Sequence, residues 1–79
     1  MAIEVRLFAT LRRYAPDLGI GEPLQIEITK NTTARDVLRQ LGIPEEDVKI
    51  VMRNNRQVEL DTVLEDGDRV AFIPAVGGG

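Results

Sequence analysis

The chain contains no cysteine, no histidine and no serine in its 79 residues. Without cysteine it has neither a disulfide nor a thiol nucleophile, and without histidine it lacks the usual base near neutral pH. Adding the missing serine, the familiar nucleophile–base triads and the common zinc sites are excluded. A self-sufficient enzyme is therefore not expected. An excess of basic charge is lacking too: 10 Lys and Arg stand against 13 Asp and Glu, for a net charge of −3. Affinity for nucleic acid is largely phosphate neutralisation, so the expected partners are proteins and not DNA or RNA. No run approaches the ~18 apolar residues of a membrane span, and no basic-then-apolar leader precedes the first strand pattern. No membrane partner and a cytoplasmic location are the resulting expectations.

What is present fits one small domain with an ordinary 43% hydrophobic content. At this size only about 60% of the unfolded surface is buried on folding, enough for one core. From Ala2 to Phe8 the residues alternate, Ile3, Val5 and Leu7 against Glu4, Arg6 and Phe8, which predicts a half-buried strand. Ala9 to Ala15 has good helix formers, with Leu11 and Tyr14 three apart on one face, and predicts a short helix stopped by Pro16. Asp17 to Glu22 has two glycines and no period and reads as a loop. Leu24, Ile26 and Ile28 then mark a second strand, antiparallel to the first.

Thr33 followed by Asp36 approximates a capping box, and the acidic residue also suits the positive end of the helix dipole. Val37, Leu38 and Leu41 form the apolar stripe of this helix, with Arg35, Arg39 and Gln40 toward water. Gly42, Ile43 and Pro44 supply the left-handed cap, its hydrophobic contact and the stop. Glu45 to Asp47 reads as an acidic turn, with a solvated loop the favoured reading and a single helical turn after Pro44 the alternative. Lys49 to Met52 is a third strand, but three consecutive apolar residues, Ile50, Val51 and Met52, leave its faces open. Asn54-Asn55 suits a tight hairpin before a short edge strand at Arg56 to Val58. After the turn Glu65-Asp66-Gly67-Asp68, the last strand from Arg69 to Ile73 points Val70 and Phe72 inward and Arg69, Ala71 and Ile73 outward. The order β-α-β-α-β-β-β predicts an α+β fold, a mixed sheet folded over one main helix. The carboxylates Glu59, Asp61, Glu65, Asp66 and Asp68 match no calcium-loop spacing, so turn formation and solubility explain them and no metal is expected.

The sequence closes on Ile73-Pro74-Ala75-Val76-Gly77-Gly78-Gly79. Unsubstituted backbone loses the most freedom on ordering, so residues 75–79 are expected to be a flexible tail behind a domain of residues 1–74. A frayed end is the plain alternative. Six residues from Pro74 to Gly79 reach about 20 Å when extended, enough to enter another protein's active site.

These segments resemble the MoaD/ThiS family of ubiquitin-like, β-grasp sulfur carriers. The resemblance rests on Val5-Arg6-Leu7-Phe8-Ala9-Thr10-Leu11-Arg12, on the helix from Thr33 to Leu41, and on Asn54-Asn55-Arg56 in place of an Asn-Gly-Arg turn. Its most specific part is Leu64-Glu65-Asp66-Gly67-Asp68-Arg69-Val70-Ala71-Phe72-Ile73-Pro74-Ala75-Val76 running into the glycines. Within the family the chain looks most like the small subunits of molybdopterin synthase, since thiamin-pathway carriers usually lack the stretch of residues 9 to 22. It departs from them at Gly77, usually Ser, Thr or Ala, and at Ala75, often a second Pro. The resemblance implies that an ATP-dependent, E1-like activating enzyme adenylates the Gly79 carboxylate and that a sulfur donor converts it to a thiocarboxylate. ATP would be used by that enzyme, with no cofactor bound by this chain. Gly77 and Gly78 would let the tail pass a narrow channel. Other implied roles are carriage of sulfur for thiamin, cysteine, thiolated tRNA or tungsten cofactor, or conjugation to lysines, and an adaptor with an inert tail is a further reading.

Alternation adds a docking face. If the first and last strands are neighbours, as in the β-grasp, Phe8 and Ile73 lie together on the outer face with Ala71 between them. Exposed apolar clusters mark interfaces, and aromatic anchors tend to dominate them. Phe8, Arg12, Ala71, Ile73, Pro74 and Val76 are the expected contacts to partners such as the large subunit of molybdopterin synthase, with Arg6 and Arg69 at the rim.

Overall fold

The computed structural model describes residues 1–17, 19 and 22–75. Its five strands are β1 (Ala2–Leu7), β2 (Leu24–Glu27), β3 (Val48–Arg53), β4 (Arg56–Val58) and β5 (Arg69–Pro74). They form one mixed sheet in the order β2-β1-β5-β3-β4. The first and last strands run parallel at its centre, and the other pairs are antiparallel. The one α-helix among the described residues, α1 (Ala34–Leu41), contributes Ala34, Val37 and Leu38 to the core against this sheet. This is the ubiquitin-like β-grasp.

The core follows from the period-two pattern of the strands. Ile3, Val5 and Leu7 are all buried, and Val5 pairs with Val70 and Leu7 with Phe72. Val51 meets Phe72 from the other side, so Phe72, with no exposed surface, sits at the centre of three strands. The faces of β3 are fixed by this register: Val51 points in, while Ile50 and Met52 are half-buried on the outer side.

The helix is capped at both ends by its own sequence. Thr33 Oγ1 accepts from Asp36 N at 3.2 Å, and Asp36 Oδ2 accepts from Thr33 N at 3.0 Å, a complete capping box. These bonds hold the Asp36 carboxyl below the usual range. At the other end Gly42 has φ of 75°, its N–H donates to Arg39 O at 3.2 Å, and Ile43 N–H donates to Leu38 O at 2.9 Å. This is a Schellman end, which needs a residue tolerant of positive φ at Gly42.

Four details depart from the sequence reading. Residues Ala9–Tyr14 form a 3-10 helix, entered through Ala9 at φ of 51°, which turns the chain sharply so that Leu11 plugs the core. Glu45–Asp47 takes the single helical turn and not the favoured open loop: Asp47 N–H donates to Pro44 O at 3.1 Å, and the Asp47 carboxylate accepts from the Tyr14 hydroxyl at 3.2 Å, which ties the two turns together. Arg35 is partly covered, held by Glu45 at 3.1 Å and by Asp61. Ile28 is buried beyond the end of β2, its N–H donating to Met1 O at 2.7 Å. The loop expected at Asp17 to Glu22 lies largely outside the described residues. Among the described residues, no helix is long and apolar enough to cross a membrane.

Candidate functional site

The parallel pairing of β1 with β5 builds the outer face residue by residue. Arg6 stands opposite Ala71, and Ala71 opposite Met52, so these three form a row across β1, β5 and β3. Phe8 lies one step past the Leu7–Phe72 pair and donates its N–H to Phe72 O at 3.3 Å. That places it alongside Ile73, which faces Ile50 on β3. Phe8 is 46% exposed, whereas Ala71, Ile73, Ile50 and Met52 are half-buried. The expected apolar cluster is thus assembled, and it extends onto β3.

A hollow of about 250 Å³ opens beside it, lined by Arg6, Phe8, Met52, Asn55, Arg69, Ala71 and Val70. Sequence reasoning missed Met52 and Asn55. Only the β3–β5 register turns Met52 outward, and only the turn geometry brings Asn55 to the rim. Asn54 and Asn55 have φ of 50° and 71°, the two-residue turn whose twist matches a hairpin.

Two of the expected contact residues fall elsewhere. Pro74 is buried on the inner side at the end of β5, opposite Val48, because alternation carries it with Val70 and Phe72. Arg12 is exposed on the 3-10 helix but does not line the hollow. Val76, Gly77, Gly78 and Gly79 lie outside the described residues, and the thread expected to begin at Ala75 follows directly from β5.

The acidic turn before β5 positions this face from below. Asp68 is 6% exposed; it accepts from Glu65 N at 2.8 Å and from Asn54 Nδ2 at 3.0 Å. Arg53 Nε lies 2.8 Å from Oδ2, the oxygen that also accepts from Glu65 N, a charge contact without good hydrogen-bond alignment. Burial pushes the Asp68 carboxyl up, but the Glu65 N–H, the Asn54 amide and Arg53 outweigh it and hold it below the usual carboxylate range. Asp66 accepts from Ala2 N at 2.8 Å, and Asp61 pairs with Arg35. These carboxylates serve turns and ion pairs, and among the described residues no three His, Cys, Asp or Glu side chains gather as metal ligands.

A sequence model described as the ThiS family matches residues 5–79. The chain belongs to the ThiS family. Solved structures agree with this assignment. A protein of Haloferax volcanii, HVO 2177, is 30% identical with a TM-score of 0.75, covering 100% of this chain and 87% of its own. A candidate molybdopterin converting factor subunit 1 of Pyrococcus furiosus is 26% identical, with a TM-score of 0.74 over 96% of this chain and 99% of that one. A third is a complex of subunits 1 and 2 of the molybdopterin-converting factor of Helicobacter pylori, at 26% identity and a TM-score of 0.62 over 100% of both chains. No match was found among curated protein sequences. The chain is therefore a ubiquitin-like protein of the ThiS family.

Proposed function

We propose that this protein is a sulfur carrier that donates sulfur in molybdopterin biosynthesis from a thiocarboxylate at Gly79. The observation that carries the reading is the family match, which runs through the terminal glycines to residue 79. A carboxylate is a poor electrophile because attack must expel oxide. Transfer of AMP from ATP to the Gly79 carboxylate, with release of pyrophosphate, supplies a good leaving group; hydrosulfide from a sulfur donor then attacks the acyl carbon, expels AMP and gives up its proton to leave –COS⁻. The activating enzyme provides this chemistry; the chain provides a thin thread and a docking face. Because the chain has no cysteine, no thiol of its own intercepts the acyl adenylate.

Subunit 1 structures at 26% identity support the molybdopterin pathway. The large subunit of molybdopterin synthase would dock on Phe8, Ala71 and Ile73 and receive the tail. Intact-mass spectrometry of the protein from its own cells tests this. A species about 16 Da heavier, oxygen replaced by sulfur, is expected to map to Gly79 and to vanish when Gly78 and Gly79 are deleted. If neither the cells nor incubation with activating enzyme, ATP and sulfur donor yields that species, the carrier reading fails.

A further inference from the structure

We infer that residues 8–14 form a strap across the end of β5, latched by Tyr14 on Asp47, and that this latch sets the direction in which the chain leaves the sheet toward Gly79. On the carrier reading, on which this rests, Tyr14 and Asp47 are positioning residues for the reacting end. The strand order places β5 between β1 and β3. β1 ends where Leu7 stands opposite Phe72, and β3 begins where Val48 stands opposite Pro74. The 3-10 helix starts on the β1 side and finishes on the β3 side. At its start Phe8 N–H donates to Phe72 O at 3.3 Å, and at its finish the Tyr14 hydroxyl donates to Asp47 Oδ2 at 3.2 Å, one residue before Val48. Between these anchors the segment lies against β5, with Leu11 in the core and Tyr14 packed against it. The strap therefore crosses on the inner side of the sheet, the side on which Pro74 is buried.

The rung it guards is a weak one. Pro74 has no N–H to give to the ladder, and the register shifts between Val48 and Ile50, leaving Lys49 as an extra residue beside the end of β5. Pairing alone thus fixes the last residue of β5 poorly. The latch supplies what the ladder lacks. Arg13 reaches the same Asp47 oxygen at 3.4 Å and the Tyr14 hydroxyl at 3.2 Å, its guanidinium lying 5.1 Å from the centre of the Tyr14 ring. Packing needs only the ring of Tyr14; the hydroxyl serves Asp47. A chain end reacts only when it arrives in line with the attacked or attacking group, so a small error in aim costs rate more than binding.

The test is adenylation of the full chain by its activating enzyme, followed by ATP–pyrophosphate exchange, for Tyr14→Phe, Asp47→Ala and the double variant. Each single variant is expected to lower kcat about fivefold with KM within about twofold of wild type, and the double variant to be no worse than either, since both remove one bond. Unchanged kcat in both single variants, or a loss carried by KM, overturns the inference while wild-type adenylation leaves the carrier reading standing. A fall in melting temperature with kcat and KM unchanged marks a merely structural contact and overturns it as well. If the wild type is not adenylated, the carrier reading fails and the strap is judged by 15N relaxation of the full chain. A lower order parameter at the Ala75 amide in both single variants than in wild type supports the latch; an unchanged one overturns it.

Discussion

The two sides of β5 carry different duties. Val70, Phe72 and Pro74 are buried, the first two in one core with Val37 and Leu38 of α1, while Arg69, Ala71 and Ile73 face outward at the hollow and the apolar cluster. Adjacent residues thus belong to separate systems, because side chains in a strand alternate between faces. A change on the inner side should be felt as stability and a change on the outer side as recognition.

Three changes sharpen or break this division. The largest effect is expected at Phe72→Ala on the inner face, a loss of about 3–5 kcal/mol in urea unfolding. A domain of this kind has only about 5–15 kcal/mol in all. A loss under about 1 kcal/mol would mean the inner face does not carry the fold. Next is Asp68→Asn, beneath the β3–β4 turn, expected to cost roughly 1–3 kcal/mol near neutral pH. The folded carboxyl titrates below its unfolded value, so its contribution is complete above the ordinary value of 3.8 and is lost as pH falls through the lower folded value. Wild type should therefore lose stability below about pH 4 and the variant should lose less there; parallel urea midpoints over that range would contradict the assignment. Smallest in stability is Phe8→Ala on the outer face, expected within about 0.5 kcal/mol of wild type by thermal unfolding. Its effect should appear instead as weaker association with the large subunit. A large drop in melting temperature would make Phe8 a core residue and dissolve the distinction between the faces.

Much of the scaffold was legible because local rules and the global fold agree. Thr33 and Asp36 announced the helix start, Gly42 and Ile43 its end, and the alternation in β1 and β5 named the inner residues before any pairing was known. The short turns were less legible. Nothing in Ala9 announces a positive φ, and nothing near Glu45–Asp47 announces that Tyr14, 33 residues before Asp47, reaches its carboxylate. In the candidate site, Phe8, Ala71 and Ile73 came from alternation, whereas the burial of Pro74 with Val70 and Phe72 did not, because β5 runs one residue past the strand end at Ile73 that the sequence suggests.

By itself the sequence determined the five strands, the inward faces of β1 and β5, the capped helix and a family whose match runs to the terminal glycines. These are properties of neighbours a few residues apart, where side-chain period and backbone preference act directly. Tertiary structure alone decided that Met52 and Asn55 join Arg6, Phe8, Arg69 and Ala71 around one hollow. Strand register sets which distant residues stand opposite each other, and in β3, with three apolar residues in a row, only pairing with β5 could choose the face.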